Sequence, residues 1–158
     1  MKDPILEPIK IGKLELKNRI YLPAMHLNMA VDFEVTDQLV NFYAERAKGG
    51  VSMIAVGFAT VDKLSAGSTN IGAHKDEYIP GLKRLADAIK DNGALSAVQL
   101  NHAGKNNFSF MINDTAVAPS AIQARMTRET PRALEHDEIV EIIENFGQAA
   151  LRVKKAGF

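Results

Sequence analysis

Three short runs of this chain are apolar almost without a break: RIYLPAM (19–25), VSMIAVGF (51–58) and LSAVQL (95–100). A strand with one wet face alternates apolar and polar residues. Near-continuous runs of this length, rich in β-branched residues, read instead as strands covered on both faces, as in a parallel sheet. Between and after them the period changes to that of a helix. Thr36 is placed to cap a helix through DQLVNFYAERAK, which Gly49 and Gly50 stop. In EYIPGLKRLADAIKDNG (77–93), Leu82, Leu85, Ala86 and Ile89 fall on one stripe and Gly93 ends it. A third helix carries Ile139, Ile142, Ile143, Phe146, Ala150 and Val153 at the i, i+3, i+4, i+7 spacing. The order is therefore β-α-β-α-β-α. Right-handed crossovers make the strands parallel and put the helices outside. The fold class is α/β; periodicity alone leaves an open sheet and a piece of a barrel as alternatives.

No low-complexity linker interrupts the 158 residues, which fit one domain over 1–158. Lys plus Arg and Asp plus Glu both number 19, so no basic footprint points to nucleic acid. The absence of cysteine excludes disulfides, thiolate metal sites and iron–sulfur ligation within these residues. The start MKDPILEPIK is unlike a secretory signal, and the uncharged stretch 51–61 is too short for a membrane span. The expectation is a soluble cytoplasmic protein with no membrane contact. No GxGxxG or GxxxxGK[ST] follows a strand, so the common nucleotide fingerprints are missing.

In parallel α/β folds function collects at the carboxyl ends of strands, where the loops converge. That rule selects PAMHLNMA (23–30), GFATVDKLSAGSTN (57–70) and QLNHAGKNNF (99–108). The last holds Gln99, Asn101, His102, Lys105, Asn106 and Asn107 in ten residues. Amide side chains carry both donors and acceptors, and a heterocycle presenting both along one edge would satisfy them.

LKNRIYLPAM, AERAKGGVSMIAVG and VQLNHAGK, in this order and spacing, resemble the first half of the Old Yellow Enzyme family. VAPSAI and TPRALEHDEIVEIIENFGQAALRVKKAGF extend the likeness over practically the whole chain. The resemblance implies an incomplete (β/α)8 TIM barrel, reduced to its first three βα units with parallel strands. It also implies FMN as cofactor, NAD(P)H as reductant, and reduction of a C=C bond activated by a carbonyl or acyl group. Enoate and 2,4-dienoyl-CoA reductases are the most similar branch. Residue by residue, the resemblance puts Ala24, Met25 and His26 against the flavin ring. Gly57, or Phe58 if the alignment slips by one, matches a main-chain contact, and Gln99 matches the amide on the pyrimidine edge. Asn101 falls where relatives line the substrate cavity. Lys105 departs from the commoner Arg, keeping the charge but losing the planar fork.

Each position also has a plainer reading. Met25 suits a core gap, Gln99 could cap a neighbouring backbone group, and His102 reads first as a structural residue in a strand-end turn. His74 and His136 lie in polar contexts and read as surface residues. Arg19 of KNR reads as paired to an acidic residue. EHDE (135–138) reads as charge at a helix N-terminus and not as a metal site.

In the family the segment after KKAGF is the fourth strand. The residues that hold the substrate carbonyl, the proton donor and the phosphate grip follow it, so catalytic residues are expected beyond Phe158. Iron–sulfur and FAD, where larger relatives have them, belong to domains further downstream. For these residues alone little or no catalysis is expected. An apolar inner face and open strand edges predict self-association or pairing with a complementary barrel fragment. A non-catalytic half-barrel that assembles in this way is the alternative reading. An aldolase- or isomerase-type barrel ranks last, because no strand end carries the lysine or carboxylate pair such chemistry uses.

Overall fold

The computed structural model describes residues 3–158. The chain opens with an antiparallel hairpin, β1 (Ile9–Ile11) and β2 (Leu14–Leu16), turned at Gly12 with φ +58°. Two side chains then fasten its exit to the amino-terminal end of the sheet. Asn18 Nδ2 donates to the Gly50 carbonyl at 2.7 Å and Lys17 Nζ to the Gly93 carbonyl at 2.6 Å.

The sheet follows: β3 (Tyr21–Leu22), β4 (Met53–Thr60), β5 (Ile71–Gly72) and β6 (Leu95–Asn101), all parallel. β4 is central. One of its edges pairs β3 low (Tyr21 with Met53) and β5 high (Ala59 with Ile71); the other pairs β6. The β4–β6 register shifts between Val56 and Ala59, which leaves Gly57 and Phe58 outside the ladder. Helices α1 (Asp37–Lys48) and α2 (Ile79–Asp91) cover the outer face. α3 (Ser109–Ile112) is one short turn, and β7 (Val117–Ala118) pairs β8 (Arg132–Ala133) before the long α4 (His136–Lys155). The described residues therefore form three βα units with no closed barrel.

The core lies between β4 and the first two helices. Ile54 and Val56 of β4, Tyr43 of α1, and Leu82, Leu85 and Ile89 of α2 are completely buried. Each such side chain contributes about 1.5–3 kcal/mol by leaving water. Thr36 caps α1 as its position predicts, its Oγ1 accepting the Leu39 amide at 3.2 Å. α4 starts with a reciprocal cap, Glu138 accepting the Glu135 amide at 2.8 Å, so EHDE is helix-terminal charge as expected.

Three expectations need correction. The first strand is two residues, not seven, because Pro23 has no amide to continue the ladder. The α4 stripe is largely uncovered, with Ile139 and Ile143 exposed. Arg19 makes no ion pair among the described residues. Phe158 closes a helix-terminal motif: its amide bonds to the Val153 carbonyl at 3.3 Å and that of Gly157 (φ +96°) to the Lys154 carbonyl at 3.0 Å.

Candidate functional site

The residues singled out in the sequence gather at the carboxyl ends of β3, β4 and β6. What joins the first two is an absence. A Cβ on Gly57 would stand 2.6 Å from the Met25 nitrogen and 2.8 Å from the Ala24 Cβ. Only glycine lets the segment leaving β3 pass this close over β4. The Gly57 amide donates to the Tyr43 hydroxyl at 3.2 Å, so the crossing is also tied to α1 from beneath. Burial raises the Tyr43 hydroxyl above its ordinary value, which keeps it a neutral partner.

Beyond this crossing, the His26 ring lies against Phe58 with centroids 4.7 Å apart. On β6, Val98 and Leu100 pack toward the core, which turns Gln99 onto the opposite, inner face. Gln99 is exposed, and its amide makes no side-chain hydrogen bond among the described residues. Asn101 ends β6 opposite Thr60, half-buried, with its amide likewise unengaged.

A pocket of about 490 Å³ opens here. His26, Phe58 and Asn101 line it together with Phe108, Met111 and Met126. Ala24, Met25 and Gln99 lie outside its wall. Gly57 borders a separate narrow crevice with Leu27 and Ile71. The predicted residues thus share one rim but not one cavity. Phe108 ended a selected stretch without being singled out, and Met111 and Met126 were missed because they sit on the single turn of α3 and on the loop before β8, which show no periodic pattern. The one available signal was Gly67, whose missing side chain leaves room for Met111, 3.3 Å from where its Cβ would be.

A polar network knits the two loops behind the pocket. Asp62 Oδ1 accepts from Ser65 Oγ at 2.9 Å, and the Ala103 amide donates to the Ser65 carbonyl at 2.9 Å. Asn107 Nδ2 reaches the Leu64 carbonyl at 2.6 Å. His102 Nδ1 accepts the Gly104 amide at 3.1 Å, and its Nε2 faces Asp62 Oδ2 at 3.5 Å. His102 thus has one local partner, the Gly104 amide, while its buried Nε2 makes no hydrogen bond and its ring lines the pocket.

His74 is the correction among the histidines. It is half-buried, 5.0 Å from both Phe33 and Tyr78, and its Nδ1 is 3.0 Å from Thr60 Oγ1. Burial pushes its basicity down, reinforced by Lys75. His136 is exposed, as expected. Among the described residues no group of three or more His, Cys, Asp or Glu could hold a metal ion, and no helix is long and apolar enough to cross a membrane.

The profile of the NADH:flavin oxidoreductase / NADH oxidase family matches residues 4–158. The chain belongs to this family. A metal reductase of Desulforamulus reducens is 43% identical over 154 residues, 98% of this chain and 23% of that protein. An NADH oxidase of Thermoanaerobacter brockii is 35% identical, covering 94% of this chain and 24% of the relative. Among solved structures, an Old Yellow Enzyme homologue of Zymomonas mobilis superposes with a TM-score of 0.90 at 26% identity, over 99% of this chain and 46% of that one. A 2-naphthoyl-CoA reductase in complex with 2-naphthoyl-CoA gives 0.92 at 29% identity, over 98% and 26%. The chain thus spans about a quarter of three of these relatives and just under half of the Zymomonas mobilis protein. It corresponds to the amino-terminal portion of the Old Yellow Enzyme barrel, in keeping with three βα units and no closed barrel.

Proposed function

We propose that these residues supply the first three strand ends of an FMN site in an NAD(P)H oxidoreductase that reduces electron-poor C=C bonds. The observation that carries the reading is the unengaged Gln99 amide on the same rim as the Gly57–Met25 crossing. A flat ring with donors and acceptors along one edge fits that combination: main chain held flush against β4, and one side-chain amide offering both kinds of hydrogen bond. FMN, when bound, supplies the two-electron relay between a nicotinamide and the substrate.

The chain's own contribution is placement. Ala24, Met25 and Gly57 form the main-chain wall, and Gln99 addresses the ring edge. His26 stands exposed beside Phe58, where an imidazole can hydrogen-bond a flavin oxygen. Asn101, inside the pocket, faces substrate. Enoate and dienoyl-CoA reduction is the branch of this chemistry the sequence resembles most. Alone, these residues hold part of a site and turn over little or nothing. The rest of the enzyme, including any iron–sulfur or FAD domain, belongs outside them.

The test is flavin retention. FMN is added to the purified chain, excess is removed by gel filtration, and visible absorbance is read with elution volume. A yellow protein band that Gln99→Ala weakens supports the reading; a colourless band overturns it for this chain. One observation favours the second reading, a non-catalytic half-barrel pairing with a copy of itself or a complementary fragment. Among the described residues β6 is paired along one edge only, and α4 leaves Ile139, Val140 and Ile143 exposed. A homogeneous, flavin-free oligomer would support it.

A further inference from the structure

Behind the rim, one histidine touches three of the connections that shape it. His74 lies two residues beyond β5, half-buried, with its ring 5.0 Å from both Phe33 and Tyr78. Phe33 belongs to the loop that runs on from His26. Its amide donates to the Ser68 carbonyl at 2.9 Å, and its carbonyl accepts the Gly72 amide at 2.8 Å. Tyr78 stands just before α2, so close over Gly72 that a Cβ there would be 2.5 Å from its ring. The third contact is Thr60, completely buried at the end of β4, whose Oγ1 is 3.0 Å from His74 Nδ1. Thr60 is the register partner of Gly72 on β5 and of Asn101 on β6, so it links the histidine to the pocket wall.

We propose that His74 is a positioning residue that clamps the carboxyl-end connections of β3, β4 and β5 while neutral and releases them when protonated, so that acid loosens the rim. The clamp lies outside the pocket and works whatever the rim binds. A neutral ring accepts the Thr60 hydroxyl at Nδ1. A protonated ring donates there instead, and the hydroxyl must turn to the Ile71 carbonyl at 3.4 Å. Burial opposes a charge on this ring, and Lys75 on the same segment adds to that opposition. Asp62 in the loop after β4 and Glu77 before α2 favour the charge but do not prevail, so the basicity of His74 stays below its ordinary 6.5. From α4, Arg152 brings a further cation, donating to the Ala73 carbonyl at 3.4 Å and to Asp76 at 2.6 Å. Glu34, in the loop after β3, bears on Tyr78. The folded chain thus binds fewer protons at His74 than the unfolded one. The clamp's contribution is full above about 6.5 and is lost as pH falls below it.

The test follows the imidazole and amide resonances of the chain from about pH 8 to about pH 5. No flavin is added, so the outcome is separate from FMN retention. The expected result is a His74 midpoint below 6.5, with the Phe33, Thr60 and Asn101 amides moving along the same curve. Gly12, in the hairpin at the amino-terminal end of the sheet, stays still. Two variants remove the titration in different ways. His74→Phe keeps a ring between Phe33 and Tyr78, and His74→Asn keeps a polar partner for Thr60. In either one the shared movement at Phe33 and Thr60 disappears. The urea midpoint also loses less than that of the parent between about pH 7.5 and about pH 5.5. A His74 midpoint at or above 6.5, with the imidazolium held by the two ring faces, overturns the proposal. So do amides that ignore the His74 titration. Movement at Thr60 and Asn101 that survives both substitutions unchanged, as titration of His26 or His102 would cause, overturns it too.

Discussion

Two helices carry the same kind of apolar stripe and meet different fates. On α2, Leu82, Leu85, Ala86 and Ile89 are all completely buried. On α4, the stripe written with equal clarity leaves Ile139 at 39% and Ile143 at 66% exposure. The cause is neighbours. α2 packs against α1, α4 and β6, whereas α4 packs chiefly against α2 and β6. A stripe states that a face can be buried; the number of elements around it decides how much is. One half of the molecule is therefore closed, around β4, and the other is open, along β6 and α4.

Cutting into the closed half gives the largest expected effect. Leu85→Ala empties a site with no access to solvent and costs about 2–5 kcal/mol, read as a drop in the urea midpoint at unchanged slope. A cost under about 1 kcal/mol would mean that the closed half is loosely packed and that the contrast with α4 is false.

Gly57→Ala tests the closed half where it meets the rim. The new methyl group would face the Met25 nitrogen at 2.6 Å, and backbone cannot swing aside as a side chain would. Overpacking of this kind costs about 1–3 kcal/mol. If the crossing serves as the flavin wall, FMN retention falls further than stability does, and a variant that keeps both intact refutes the close approach.

Much of the closed half was legible beforehand because its signals are local. Thr36 before an amphipathic run, Gly93 after one, and buried apolar strands between them each need only a few neighbouring residues to be read. The N-terminal hairpin was also written, as Ile9 and Ile11 answering Leu14 and Leu16 around Gly12. His74 could not be read, because Phe33, Thr60 and Tyr78 reach it from separate segments and turn a polar-looking stretch into a packed one. A positional rule selected the strand-end stretches, and the family resemblance picked the candidate residues within them. Part of the pocket wall escaped, since Met111 and Met126 sit where the backbone repeats nothing.

The two helix caps give a smaller contrast and a pH signature. Thr36→Ala removes the α1 cap at a cost of about 1 kcal/mol that does not vary with acid. At α4, Glu138 is held by both Arg132 nitrogens at 2.7 Å and by the Glu135 amide, and its carboxyl falls from 4.5 to about 2, chiefly through Arg132. A carboxyl depressed in the folded state binds fewer protons there than in the unfolded chain. Its contribution is therefore full above about 4.5 and is lost as pH falls toward 2. Glu138→Gln should flatten that part of the acid titration of stability, while Thr36→Ala lowers the curve evenly. Identical curves for Glu138→Gln and the parent would show that the α4 cap is open in solution.

The smallest expected effect is the most informative about the open half. Ile143→Gln replaces a side chain 66% exposed, and in an isolated chain with α4 uncovered it changes stability by less than about 0.5 kcal/mol. That value, set beside Leu85→Ala, measures how differently the two stripes are used. The number changes if something covers α4 in solution. A second copy seated on Ile139 and Ile143 would bury them, and the substitution would then lower the melting temperature at high protein concentration and not at low. Thermal unfolding of the parent and Ile143→Gln across a hundredfold range of concentration therefore decides between a bare face and an assembled one. A concentration-independent loss as large as that of Leu85→Ala would instead place Ile143 inside the monomer's own core and end the distinction between the two helices.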